Sequence, residues 1–183
     1  MLVWMDLEMT GLNPEIDAVI EIATIITDDN LNIVAEGPDL VIQTDPELLN
    51  NMEDVVQTMH SKSGLIDEVR SSQITLEDAK LRTLDFIKQY VDPGTTPLAG
   101  NSIGTDRRFL LKYMSEIENY LHYRSVDVST IKELCKRWYR DEFKYLPKKE
   151  SAHRALDDIK ASIEELLYYK NKIFINSQTE QKL

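Results

Sequence analysis

A chain of 183 residues, 42% of them hydrophobic, can bury a core that needs no disulfide staples, and its single cysteine, Cys135, excludes an internal disulfide and suits a reducing compartment. The formal net charge of −11 argues against a protein that grips long nucleic acid through many phosphate contacts. No apolar run reaches the ~18 residues of a membrane span and no basic-then-apolar leader precedes Leu2, so a cytoplasmic protein with no membrane partner is expected. One domain over residues 1–175 is expected, followed by a disordered tail at 176–183.

The first strand covers residues 2 to 7, and the stretch Val3-Trp4-Met5-Asp6-Leu7-Glu8-Met9 puts two carboxylates where a core strand should be. Successive side chains on a strand point to opposite faces, so Asp6 and Glu8 share one face while Leu7 packs on the other. Like charges side by side repel, and burying them uncompensated costs several kcal/mol. Either a solvated strand end or a bound cation therefore accounts for the pair. Thr10-Gly11-Leu12-Asn13-Pro14 stops the strand and places the carboxylates at its C-terminal end, where open sheets bind ligands.

Residues 20 to 27 and 39 to 44 are β-branched runs joined through Asp28-Asp29-Asn30 and Gly37-Pro38. Their short connections predict an antiparallel meander, since a parallel crossover needs a dozen or more residues. Residues 46 to 70 read as short helices with a mobile loop around Ser61-Lys62-Ser63-Gly64. Thr75 and Asp78 resemble a capping box, opening a helix with the stripe Leu76, Ala79, Leu84, Ile87 and Val91 that Asp92-Pro93-Gly94 ends. Residues 97 to 101 fit a fourth strand, after which Thr105 is expected to cap a helix carrying Phe109, Leu110 and Tyr113. Residues 124 to 128 fit a fifth strand. Ser129 is then expected to cap a helix with Ile131, Leu134, Cys135 and Trp138 at i, i+3, i+4 and i+7, which makes Cys135 a core residue. Residues 140 to 151 read as a loop leading to a last helix from about Ala152 to Lys172. This order of elements implies an α/β domain with a mixed sheet flanked by helices.

Three further positions fall at element ends. Asp106 follows Gly104-Thr105 at a helix start, where a carboxylate also answers the helix dipole. With Ile159 at the centre of the apolar stripe and about 100° per residue, Asp158 lies beside Ala155 and Ser162 at the edge of the buried face, and Asp157 points nearly opposite. His153 precedes Asp158 by five residues, the wrong spacing for one helical face, so it projects from the loop or first turn.

Asp-x-Glu on a first strand, a mid-chain Asp and His-x-x-x-x-Asp near the end together resemble the DEDDh family of 3′→5′ exonucleases, in the ribonuclease H-like superfamily. Asp6-Leu7-Glu8-Met9-Thr10-Gly11-Leu12, Asn101-Ser102-Ile103, Asp106-Arg107-Arg108-Phe109-Leu110, residues 123–130 and His153-Arg154-Ala155-Leu156-Asp157-Asp158-Ile159 resemble the oligoribonucleases within it. The resemblance implies a ribonuclease H-like mixed five-stranded sheet flanked by helices. It also implies a homodimer that degrades very short single-stranded RNA, dinucleotides above all, to nucleoside 5′-monophosphates, with no role for long duplex nucleic acid.

The cofactors it implies are two divalent ions, Mg²⁺ or Mn²⁺. Two such ions roughly 4 Å apart activate a water and stabilise the leaving oxygen, and carboxylates are the hard oxygen ligands they need. By the family pattern Asp6 bridges the metals, Glu8 and Asp158 complete the site of the attacking water, and Asp106 supports the second metal. His153 is the base, with an unperturbed pKa of about 6.5 that lies near working pH. Leu12 matches a residue that wedges against the bases, while Ser102, Arg124, Ser129 and His60 match groups around the 5′ phosphate. Read alone, Ser129 is also a helix cap, Arg124 a surface charge and His60 an exposed loop residue. The family carries a base-stacking tryptophan five residues before the histidine matched by His60. This chain has Val55 there, and residues 46 to 64 contain no aromatic. A proofreading-type exonuclease for longer single-stranded DNA and a catalytically silent binding module are the competing readings.

Overall fold

The computed structural model describes residues 1–146 and 153–174. The tail expected from Asn176 onward and Ala152, the expected start of the last helix, lie outside the described residues. Strand alternation over β1 (Leu2–Met9) sends Val3, Met5 and Leu7 to one side and Trp4 to the other. β2 (Val19–Thr27) and β3 (Ile33–Val41) continue the sheet as the expected antiparallel meander, and β4 (Pro97–Gly100) and β5 (His122–Asp127) add to it in parallel. The five strands lie in the order β3-β2-β1-β4-β5, the mixed sheet that the sequence predicts.

β3 is displaced from its expected span of residues 39 to 44. The Asp28 carboxylate accepts the N–H groups of Asn30 (2.8 Å) and Asn32 (2.9 Å), folding the chain back so tightly that pairing with β2 resumes at Ile33. Gly37-Pro38, read from sequence as a joint, is instead a bulge inside the strand. Ala23 faces Asp39 and Ile25 faces Glu36, so two residues oppose Thr24 alone. Proline is tolerated because β3 is a sheet edge. Glycine is needed because a Cβ at position 37 would come within 2.4 Å of the Phe86 ring.

Three short helices, α1 (Pro46–Asn50), α2 (Asp54–Lys62) and α3 (Leu65–Ser71), fill the stretch after β3. The loop expected around residue 61 is smaller than read. α2 runs through Ser61 and Lys62, leaving only Ser63 and Gly64 as the link, with Gly64 at φ 79°. α4 (Leu76–Ile87) opens on the expected capping box: Thr75 Oγ1 accepts the Asp78 N–H at 3.1 Å and the Asp78 carboxylate accepts the Thr75 N–H at 3.3 Å. It stops before Val91, which is buried in the following turn. α5 (Gly104–Tyr113) begins one residue before Thr105, so that residue is inside the helix and does not cap it; α6 (Ser115–Tyr120), which the sequence reading did not anticipate, follows directly. The cap of α7 (Val128–Trp138) is Asp127, whose Oδ1 accepts both the N–H (2.9 Å) and the hydroxyl (2.7 Å) of Ser129. Cys135 is buried as expected, whereas Trp138 is 68% exposed. α8 (Arg140–Phe143) is a short helix within the expected loop, and α9 (Ala155–Lys172) is the last described element.

Helices cover both faces of the sheet. Val3, Met5 and Leu7 meet Ala79, Ile87, Phe109, Leu110 and Ile117 of α4 to α6. Trp4, Ala23 and Ala99 meet Val128, Cys135, Ala155 and Ile159 of α7 and α9. Each fully buried aliphatic side chain such as Ile87 contributes about 1.5–3 kcal/mol over exposure.

Candidate active site

β1 outruns its neighbour. It pairs with β4 at Val3 and Trp4, but β4 ends at Gly100, so among the described residues the far end of β1 has no strand on that side. Asp106, near the start of α5, fills the gap, and its Oδ1 accepts the Leu7 N–H at 3.0 Å. An unpaired buried N–H is costly, which gives this carboxylate a structural task beyond any ligand. On the α9 side of β1 the stripe begun by Trp4 continues with Asp6 and Glu8. α9 packs on β1 and β2 through Ala155, Ile159, Ser162 and Ile163, and Asp158 lies buried at the edge of that face while Asp157 is exposed, as the helical angles predict.

One oxygen each of Asp6, Glu8 and Asp158 lies within 4.8 Å of the others. They open into a cleft of about 300 Å³ that Leu12, Ser102, Asp106 and His153 also line. His153 precedes α9 at φ 51°, outside the helix as expected. Asn101, Met59 and Thr105 line the same cleft and were not read from sequence as site residues. Their types carry no chemical signature, and only the fold assembles them.

Burial dominates the electrostatics. Glu8, 8% exposed, has its carboxyl pushed from 4.5 up to about 8, first by desolvation and then by the negative charges of Asp158, Glu21 and Asp106. Desolvation likewise pushes Asp106 up to about 7, against the Leu7 hydrogen bond. Clustered, desolvated oxygen donors match a hard divalent cation, which would remove both penalties.

The substrate contacts expected from sequence divide into two groups. Leu12 is 72% exposed on a loop pinned beneath it: Asp17 accepts from Thr10 Oγ1 at 3.1 Å and from the Asn13 N–H at 2.9 Å. A Cβ on Gly11 would fall 2.5 Å from that Asp17 carboxylate, so the close approach requires glycine. Ser102, at φ 57°, is held by its N–H on Asp127 Oδ1 at 2.9 Å. The structure brings these two into the cleft with the five catalytic candidates. Ser129, Arg124 and His60 are not among its lining residues. Arg124 is exposed on β5 with its guanidinium 5.4 Å from the centre of the Tyr123 ring. His60 is fully buried and so is not the exposed loop residue of the sequence reading. Its Nε2–H donates to the Met9 carbonyl at 3.0 Å, and its Nδ1 stands 4.0 Å from Glu8 Oε2. Burial holds this imidazole below the usual histidine range. Val55 is exposed beside an adjoining cavity of about 600 Å³, shared with Thr58, Met59, Lys62 and His153.

A mixed five-stranded sheet that gathers buried carboxylates from its first strand and its last helix, with a histidine on the same cleft, defines a nuclease of the ribonuclease H-like class. The exonuclease family model matches residues 3–166. The mitochondrial oligoribonuclease of Homo sapiens is 52% identical over 181 residues, covering 99% of this chain and 76% of its own. The oligoribonuclease of Haemophilus influenzae (strain PittGG) is 55% identical over 169 residues, 92% of each chain. Among solved structures, the zinc-bound complex of E. coli exonuclease I with single-stranded DNA matches 94% of this chain with a TM-score of 0.70 at 14% identity; this chain spans 40% of that one, and the likeness concerns the fold alone. The chain belongs to the exonuclease family, among the DEDDh enzymes, with oligoribonucleases as its curated relatives. That family implies dependence on divalent metal, for which Asp6, Glu8 and Asp158 are the candidate ligands.

Proposed function

We propose that this protein removes nucleotides from the 3′ end of very short single-stranded RNA, dinucleotides above all, releasing nucleoside 5′-monophosphates. The observation that carries this reading is the meeting of three carboxylates within 4.8 Å on a cleft that His153 also lines. The high identity to oligoribonucleases over nearly the whole chain supports the substrate class, as does the net charge of −11.

Asp6, Glu8 and Asp158 hold the metal, with Asp106 supporting a second ion from the β1 edge. Two Mg²⁺ or Mn²⁺ ions, when bound, polarise the phosphodiester and acidify a water. His153 accepts the proton of the attacking water on its imidazole. Leu12 presses against the bases, Ser102, Arg124 and Ser129 serve the 5′ phosphate, and His60 braces the end of β1 through its hydrogen bond to the Met9 carbonyl. The acting unit is a cytoplasmic homodimer of single domains spanning residues 1–175, a state to which the exposed aromatic surface of Trp138, Tyr139 and Phe174 is suited.

The test is a series of 5′-phosphorylated RNAs of two to ten nucleotides, assayed in Mn²⁺ and in excess EDTA. A steep preference for the dinucleotide and complete loss in chelator are expected. Rates that rise with length, or turnover in EDTA, would refute the reading.

A further inference from the structure

Arg154 directly follows His153 and directly precedes α9. Its guanidinium is shared between two glutamates. Nε–H donates to Glu21 Oε1 at 2.9 Å, while Nη1 and Nη2 donate to the two Glu68 oxygens at 2.6 and 2.9 Å. Nη2 also lies 2.8 Å from Glu21 Oε1. Glu21 sits on β2 opposite Glu8 and has no exposed surface. Its second oxygen accepts the Ala155 N–H at 3.0 Å. The first N–H groups of a helix have no partner within it, and the residue before α9 provides no side-chain cap, so Glu21 supplies the acceptor from a neighbouring strand.

One guanidinium and one buried carboxylate thus tie β2, α3 and the first turn of α9 together just after a residue in the left-handed region. A non-glycine residue at φ 51° persists there only when its surroundings hold it. Glu68 extends the tie further. It lies on α3, two residues of link away from α2, and α2 supplies Thr58 and Met59 to the cavity beside His153.

We propose that Arg154 is a positioning residue whose fork onto Glu21 and Glu68 sets where His153 presents its imidazole, and ties that placement to the α2–α3 wall of the cleft. The proposal rests on the reading of His153 as the proton acceptor. Lysine at this position keeps the charge but not the planar fork, so it holds the segment at one point only. Glu68→Gln takes away the charge and one of the two acceptor oxygens of the outer arm, and leaves the Arg154–Glu21 pair in place.

The experiment compares the parent with R154K, E68Q and the double variant on a 5′-phosphorylated dinucleotide in saturating Mn²⁺. Alongside it, the ring C–H resonances of the three histidines are recorded in Mg²⁺, with His153 assigned by its loss in H153A. We expect kcat to fall by about ten- to hundredfold in R154K, the scale of a misplacement near 1 Å, with a smaller fall in E68Q and KM moving less than about threefold. The double variant should fall short of the product of the two singles, since both act through one fork. The His153 resonance should shift or broaden while that of His122, on β5, stays. A half-exposed Glu68 makes E68Q the variant to rely on where R154K does not fold. An unmoved His153 resonance overturns the proposal whatever happens to kcat, as does a kcat within about twofold of the parent. A parent without chelator-sensitive hydrolysis would sink the activity reading instead, and the resonance comparison would still decide the clamp.

Discussion

Replacing Glu8 by glutamine should stabilise the metal-free protein, by an amount that grows with pH. Glu8 is almost fully buried, and its carboxyl is raised from 4.5 to about 8 by desolvation and by Asp158, Glu21 and Asp106. Between those two values the folded chain keeps a proton that the unfolded chain has released, so its stability falls as pH rises through the window and levels off above it. At about 1.36 kcal/mol per unit, the loss is roughly 2 kcal/mol near pH 6 and approaches roughly 5 kcal/mol above pH 9. These are upper values, because penetrating water and side-chain shifts relieve part of the burial. Glutamine keeps the shape and carries no charge at any pH, so it escapes the loss. Urea unfolding in excess EDTA should therefore show Glu8→Gln ahead of the parent by a margin that widens from pH 5 to about pH 8 and levels off by pH 9. In saturating Mn²⁺ the order should reverse, since ligation stabilises only the folded parent with its full set of oxygens. A margin that is constant across that range, or a parent that is the more stable at pH 9 in EDTA, would refute the argument that burial of this carboxylate is what a cation relieves.

His153→Ala should lower kcat by roughly 10²- to 10⁴-fold with metal affinity little changed, measured by Mn²⁺ titration beside steady-state kinetics; a variant within threefold of the parent would show that another group takes the proton. Val55→Trp should tighten dinucleotide binding in Ca²⁺ by at least about fivefold, the low end of the 1–3 kcal/mol that base stacking on an aromatic is worth. Val55 faces the cavity next to His153, where the larger ring has room, and an unchanged or weaker Kd would mean that no base reaches this wall.

Much of the site was legible in short stretches of sequence. The spacing of Asp6 and Glu8 placed both on one face of a strand, and angles along the last helix chose Asp158 over Asp157, because strand and helix periods are properties of a few neighbouring residues. The Thr75–Asp78 box was readable for the same reason. Local reading failed where two residues compete for one role. Asp127 and Ser129 both suit a cap, and only the geometry at the end of β5 gave Asp127 the position and made Ser129 its donor. β3 was misplaced because Gly37-Pro38 signals a break, and nothing nearby says that the strand absorbs it as an edge bulge.

By itself the sequence determined the faces of the first strand and the last helix, the acidic cluster at the end of β1 and the family to which the chain belongs. Tertiary structure decided which charges are buried and what answers them. Glu21 stands alone among apolar neighbours in β2, and that lone charge was the available signal that it has a partner. Its partner, Arg154, lies 133 residues away. His60 became a buried support on Met9, 51 residues distant, and not a surface contact. Desolvation and pairing depend on which strand ends first and which helix packs above it, and those contacts arise only when segments far apart in the chain are brought together.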